Sequence, residues 1–256
     1  MTHTMAVAQQ KGGDGKTASV VHFGHDFFER GHRVAVVDLD PQGNASHSLE
    51  HFASGYLASA MFRAGADELK AHFADLPEGP VLALIAADKG LADMEELSFD
   101  DAADRFKANI EALGESGFDI ILIDNAPTLG TTLAASLYAA DSVISPIMPE
   151  YYSIMGIKKM LTVIANVRKI NAKLKFLGMV LSKVDGRDPR HVRNVAELQE
   201  AYPNLMIPLM IGQRSSIADA LENQVPVWKI KKTAARKATQ ELRALAAYAI
   251  EKMEIK

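Results

Sequence analysis

The chain has no cysteine. That excludes thiolate metal sites and iron–sulfur clusters, and it suits a reducing compartment. No apolar run approaches the ~20 residues that cross a bilayer. The opening Met-Thr-His-Thr-Met also lacks the cationic and apolar pattern of a secretory leader. The expectation is a cytoplasmic protein. A net charge of −4 gives no overall attraction to nucleic acid, so any such binding must come from a local patch. Internal repeats, low-complexity tracts and Pro/Gly/Ser linkers are missing too, so residues 1–256 are expected to form a single domain. The eight histidines show no metal-binding spacing and are expected at the surface or at helix caps.

What is present is an alternation of short apolar runs with longer amphipathic stretches. The apolar runs are Met5–Ala8, Val34–Val37, Val81–Ala86, Ile120–Ile123, Val143–Ile147, Phe176–Leu181 and Leu205–Met210. They predict strands buried on both faces, with helices near 17–30, 102–114, 130–140, 152–170, 189–201 and 233–253. Residues 44–78 read as shorter helices. The fold class is α/β: one doubly wound, mainly parallel sheet flanked by helices. Met155 and Met160 read as core filler.

The run Gln10-Lys11-Gly12-Gly13-Asp14-Gly15-Lys16-Thr17 lies between the first strand and the first helix. Glycines 12, 13 and 15 let backbone N–H groups turn inward toward phosphate oxygens. Lys16 would reach the β- and γ-phosphates, and the Thr17 hydroxyl would ligate Mg²⁺. The usual P-loop has glycine where Gln10 stands, and a second lysine, Lys11, stands beside it. Residues 11–18, ending at Ala18, form the candidate nucleotide-binding loop.

Hydrolysis also needs carboxylates, and two strand ends supply them. Asp38 and Asp40 are spaced i, i+2 at the end of Val36-Val37-Asp38-Leu39-Asp40, which would turn both toward the metal and γ-phosphate. Ile121-Leu122-Ile123-Asp124 delivers a third carboxylate to the carboxyl edge of the sheet, where open α/β sheets bind ligands.

Lys-Gly-Gly-x-Gly-Lys-Thr, Asp-Leu-Asp-Pro-Gln-Gly-Asn and a strand ending in Asp-x-x-Pro together resemble the ParA/Soj/MinD ATPases with a deviant Walker A motif. The resemblance covers nearly the whole chain. Residues Pro226 to Lys237 are similar to the plasmid partition ATPases of the IncC type. It implies a P-loop NTPase fold and a homodimer that sandwiches two ATP molecules with Mg²⁺. Lys11 would then reach the partner's phosphates, Asp40 would orient the attacking water, and Asp38 and Asp124 would hold Mg²⁺ through its waters. The family's partners are non-specific DNA and a centromere-binding ParB-type protein.

For DNA the candidate patch is Lys229, Lys231, Lys232, Arg236 and Lys237, five cations in nine residues. Arg187, Arg190 and Arg193 could extend it. Trp228 reads as packing beside this patch. Residues 241–256 carry three acids, three bases and many alanines. That suits a packed helix and not the cationic, bulky-apolar pattern of a membrane anchor. Two points stay open: Asp14, where the family has a small or apolar residue, could point toward the partner's Lys11 or impair the loop. The loop Ser182–Asp185 could border the base or be solvated.

Overall fold

The computed structural model describes residues 2–255, apart from the side chains of 151–155. Eight parallel strands form one sheet: β1 (His3–Val7), β2 (Arg33–Asp38), β3 (Ala53–Leu57), β4 (Val81–Ala86), β5 (Ile120–Asp124), β6 (Ser142–Ile147), β7 (Lys175–Val184) and β8 (Met206–Gly212). Their spatial order is β3-β4-β2-β5-β1-β6-β7-β8. The strand after β1 therefore lies two places to one side, and β6 lies on the other. Such reversals open a crevice at the carboxyl edge.

Alternation along the strands feeds two cores. Met5, Val7, Val34, Val36, Ile120 and Leu122 face one side of the sheet. There they meet α1 (Lys16–Glu29), α9 (Ser215–Glu222) and α10 (Thr233–Met253). Ala6, Ala35, Val37, Ile121, Ile123 and Val143 face the other side. They pack on α4 (Leu91–Met94), α5 (Phe99–Glu115), α6 (Thr131–Ala139) and α7 (Tyr151–Val167). Aliphatic residues fill both sides because helices cover both faces. Leu198 of α8 (Pro189–Ala201) packs with Met179 and Leu181 in a smaller cluster.

All seven sequence-predicted strands and all six predicted helices are present, with ends shifted by a few residues. Two elements differ from expectation. Residues 44–78 contain the short helices α2 (Asn44–Ser48) and α3 (Ala66–His72), but also the edge strand β3. Ala53-Ser-Gly-Tyr-Leu has only Tyr56 buried, so no apolar alternation marks it as a strand. The helix α9 is the second difference: its apolar stripe, Ile217, Ala220 and Leu221, spans only two turns and is too short to mark a helix in the sequence. Met160 is core, as expected, whereas the Met155 side chain lies outside the described residues. His22, His25 and His191 are buried, contrary to the surface expectation.

Candidate functional site

Strand register sets the site. Val7, Asp38 and Asp124 are level with one another at the carboxyl ends of β1, β2 and β5. The glycine loop leaves β1 at this edge and enters α1 through Gly15, whose φ of 95° favours glycine. A cavity of about 860 Å³ opens above it. Gly12, Gly13, Gly15, Lys16, Thr17 and Ala18 line its floor, with Asp40 at one side. Another wall, from β8, α9, the link between them and α10, brings the apolar Ile211, Ile217, Ala218, Leu221 and Leu242 together with the polar Gln213, Arg214, Ser215 and Glu222. A polyanion fits the floor and a flat aromatic base fits that wall.

The loop sorts its two lysines. Lys16 is buried, and its ammonium donates to the Lys11 carbonyl at 3.2 Å. Burial pulls its pKa down, while Asp124, Asp14 and Asp40 favour its charged form. Lys11 does not line the cavity; its ammonium is held within its own chain by Glu150 at the start of α7. Sequence reasoning had no signal for Glu150, which is 139 positions away.

Asp14 does not project from the chain toward a partner. It is 0% exposed, and neither carboxylate oxygen makes a hydrogen bond of ordinary geometry. Burial pushes its pKa up to about 6, against the opposing charges of Lys11 and Lys16. The nearby Glu150 charge adds to the rise, and the Met148 amide is the weakest influence favouring ionisation.

The three strand-end aspartates have separate surroundings. Asp40 reaches the cavity and accepts from the Gln42 amide at 3.0 Å. Asp38 does not face the cavity beside it, as the i, i+2 spacing had suggested. It is fully enclosed, and its carboxylate accepts from Asp40 N (3.0 Å), Ser46 N (2.8 Å) and Ser46 Oγ (2.7 Å). The chain leaves β2 after Asp38, so strand alternation no longer governs Asp40. Asp38 thus ties the turn carrying Asp40 to α2.

Asp124 sits directly behind Thr17, whose hydroxyl donates to its Oδ2 at 2.7 Å. Its Oδ1 is buried without a partner. Burial, then the charge of Asp38, raises the Asp124 pKa well above the usual carboxylate range. A cation at Thr17 would relieve both strains. The donor set fits Mg²⁺, which takes one or two protein ligands and completes its shell with phosphate oxygens and water. Among the described residues, no three acids or histidines form a cage that would bind a metal without nucleotide.

Ser182 and Lys183 also line the cavity, whereas Val184 and Asp185 do not. Ser182 packs so closely under the loop that a Cβ on Gly15 would lie 2.5 Å from its Oγ. Gly15→Ala is therefore expected to abolish nucleotide binding and to lower Tm by about 5 °C, since the positive φ alone costs about 1–2 kcal/mol. Titration with a fluorescent ATP analogue alongside a thermal melt checks this. An alanine variant that binds normally would show that the loop tolerates another backbone path.

The remaining candidates lie away from the floor. Lys229, Lys231, Lys232, Arg236 and Lys237 are all exposed. Lys232 pairs with Asp219, and the other four have no ion pair among the described residues. Arg187, Arg190 and Arg193 differ. Each is paired with a nearby acid, Asp185, Asp188 and Glu197 respectively. The α8 helix that carries two of them packs, through Leu198, on the face opposite α10.

A family model described as an AAA domain matches residues 2–176. The chain is 61% identical over 255 residues to protein IncC of Escherichia coli, covering 98% of this chain and 70% of IncC. It is 30% identical over 220 residues to the chromosome-partitioning ATPase Soj of Thermus thermophilus, covering 84% and 83% of the two chains. The chain belongs to the ParA family of partition ATPases. The ParA-type fold extends to a metabolic enzyme. A solved cobyrinic acid a,c-diamide synthase from Mycobacterium smegmatis, with bound ATP analogue and magnesium, superposes with a TM-score of 0.71 at 28% identity. That match covers 96% of this chain and 93% of the synthase chain. In the ParA-type chain described here, α10 is a packed helix whose Leu242, Leu245, Ala246 and Ala249 are buried. No helix among the described residues is long and apolar enough to cross a membrane.

Proposed function

We propose that this chain is an ATP-driven DNA-partition switch, with residues 1–256 working as one ATPase domain in the cytoplasm. It binds ATP with Mg²⁺, pairs face to face with a second copy, and holds DNA of any sequence while ATP is bound. Slow hydrolysis, accelerated by a ParB-type partner, resets it.

The observation that carries this reading is the double duty of α10. Its Leu242 walls the candidate base pocket, while its first turns carry the exposed cations Arg236 and Lys237. One helix thus touches both the nucleotide cavity and the basic surface. In this scheme Lys16 and the loop amides bind the phosphates, and Thr17 with Asp124 behind it supports Mg²⁺. Asp40 orients the attacking water on the turn that Asp38 secures. Lys11 leaves Glu150 to neutralise charge on the partner's phosphates, in the manner of a finger residue supplied in trans.

DNA binding of this kind is dominated by phosphate contacts and is therefore salt-dependent. Substituting Lys229, Lys231 and Lys232 together by alanine is expected to cut ATP-dependent retention on duplex DNA. It should also reduce the slope of log affinity against log salt by about 3 per chain. A triple variant that keeps the full slope would place the DNA surface elsewhere.

The structural likeness to the synthase supports a second reading, a ligase that activates a small carboxylic acid with ATP. The 61% identity to IncC over nearly the full chain and the exposed basic segment weigh against it. Hydrolysis that depends on a small acid, and is indifferent to DNA, would favour the ligase.

A further inference from the structure

His22 lies in the middle of α1, one turn beyond Ala18 of the nucleotide loop, and is 1% exposed. Its two ring nitrogens are both engaged. Nδ1 lies 2.6 Å from the Ala18 carbonyl, and Nε2 lies 3.1 Å from the amide nitrogen of Val227. A carbonyl can only accept and an amide N–H can only donate, so Nδ1 carries the proton and Nε2 is the acceptor. The ring therefore bridges the first turn of α1 to the tight turn Val227–Lys229, which is 205 positions away for Val227.

The turn held by this bridge is the start of the basic segment. Lys229 belongs to it, and Lys231 and Lys232 follow directly. A second clip lies alongside. The Trp228 indole N–H donates to Glu29 of α1 at 2.7 Å. Arg243 of α10 stacks over the indole at 4.1 Å and bonds Asp26 (2.8 Å) and Glu29 of the same helix. His22 itself meets the Trp228 ring edge-on at 5.8 Å. The helix whose amino end faces the phosphates is thus pinned to the cationic turn at two levels, and only the His22 pin reaches into the loop's first turn.

We propose that His22 is the positioning residue through which the nucleotide state reaches the basic segment, by carrying shifts of the Ala18 turn to the Val227–Lys229 backbone. The proposal rests on the partition reading for its output, DNA affinity, but its first step is visible without DNA. Burial keeps the His22 pKa at about 4, so the ring stays neutral and can go on accepting at Nε2 through neutral pH.

Two substitutions separate the two bonds. His22→Gln places an acceptor near the Nε2 position and can keep the Val227 bond. His22→Asn is shorter; it can keep the Ala18 bond but cannot reach Val227. The readout of the first step is Trp228, the chain's single tryptophan. Emission is recorded with Mg·ADP and with Mg·ATP. Retention on a duplex of arbitrary sequence is measured for both nucleotides, after titration with labelled ATP shows that each protein still loads.

In the wild type, ATP should change Trp228 emission and raise DNA affinity about tenfold over ADP, a usual size for coupling between two sites. His22→Asn should load ATP yet show no emission change, with an ATP-to-ADP affinity ratio within about twofold of unity. His22→Gln should recover most of both responses. General loss of stability would weaken both nucleotide states alike and leave that ratio intact. An Asn variant with wild-type responses would overturn the coupling, and so would a wild-type emission indifferent to nucleotide. A wild type whose Trp228 responds while DNA is retained with neither nucleotide would sink the partition reading and leave the coupling standing.

Discussion

Lys11→Ala is expected to bind ATP nearly as well as the wild type and yet to lose about a thousandfold in partner-stimulated turnover. The geometry separates the two lysines of the loop. Lys16 is buried on the cavity floor, where a phosphate would replace its bond to the Lys11 carbonyl. The Lys11 ammonium rests on Glu150 and does not line its own chain's cavity. Its removal should therefore cost little in binding, because Lys11 is not among the residues that line the pocket beside it and its ammonium is engaged by Glu150. In the proposed scheme its contribution to rate comes from the pocket of a second copy. Lys16→Ala should behave in the opposite way, losing nucleotide before any chemistry. Single-turnover phosphate release with DNA and partner present, set beside binding titrations, separates the two. Lys11→Ala turning over at the wild-type rate would remove the reason for a trans role.

Asp14→Val should raise ATP affinity about tenfold at pH 8, equivalent to ~1.4 kcal/mol. A buried carboxylate with no hydrogen bond of ordinary geometry stands in the phosphate loop, where a triphosphate would bring several more negative charges. Its pKa of about 6, against an ordinary 3.8, means that ionisation works against the folded chain. Well below pH 3.8 Asp14 is neutral in both folded and unfolded states and imposes no penalty; the cost builds between 3.8 and about 6, where the unfolded chain ionises and the folded chain keeps its proton. As pH rises through about 6 the folded chain must carry the charge, facing Lys11, Lys16 and Glu150. The cost reaches about 2–3 kcal/mol, at about 1.4 kcal/mol per pKa unit. The valine variant should thus be more stable than wild type at pH 8 by that amount. The gap should close as the pH falls toward 4. Paired melts and ATP titrations across this range test both claims. Equal ATP affinity at pH 8 would mean that Asp14 stays neutral or turns away once nucleotide binds.

The parts of the site that were legible in the sequence are those fixed by local geometry. Gly13, Gly15, Lys16 and Thr17 act within one turn of backbone, and Asp124 follows from three aliphatic residues ending a buried strand. The strands themselves were readable because both faces are covered, which leaves uninterrupted aliphatic runs. What escaped depends on distant pairing. Asp38 was expected to face the cavity, but Ser46, eight residues on, claims its carboxylate. The apolar part of the base wall comes from β8, α9 and α10, and no local pattern brings Ile211, Leu221 and Leu242 together. Trp228 was read as packing, whereas its indole N–H and face are both committed, to Glu29 and Arg243. The edge strand β3 escaped for another reason. An edge that buries one side chain in five residues leaves no hydrophobic alternation to read.

The central claim is that this cavity is completed only when two copies meet around ATP. Sedimentation of the wild type and Lys11→Ala, each with Mg·ADP and with Mg·ATP, in the presence and absence of DNA, tests it most directly. The wild type should be monomeric with ADP, dimeric with ATP, and carried with DNA only in the dimeric state; Lys11→Ala should fail to form that dimer or to turn over within it. A wild type that stays monomeric with ATP, or a Lys11→Ala protein that dimerises and hydrolyses like the wild type, would contradict it.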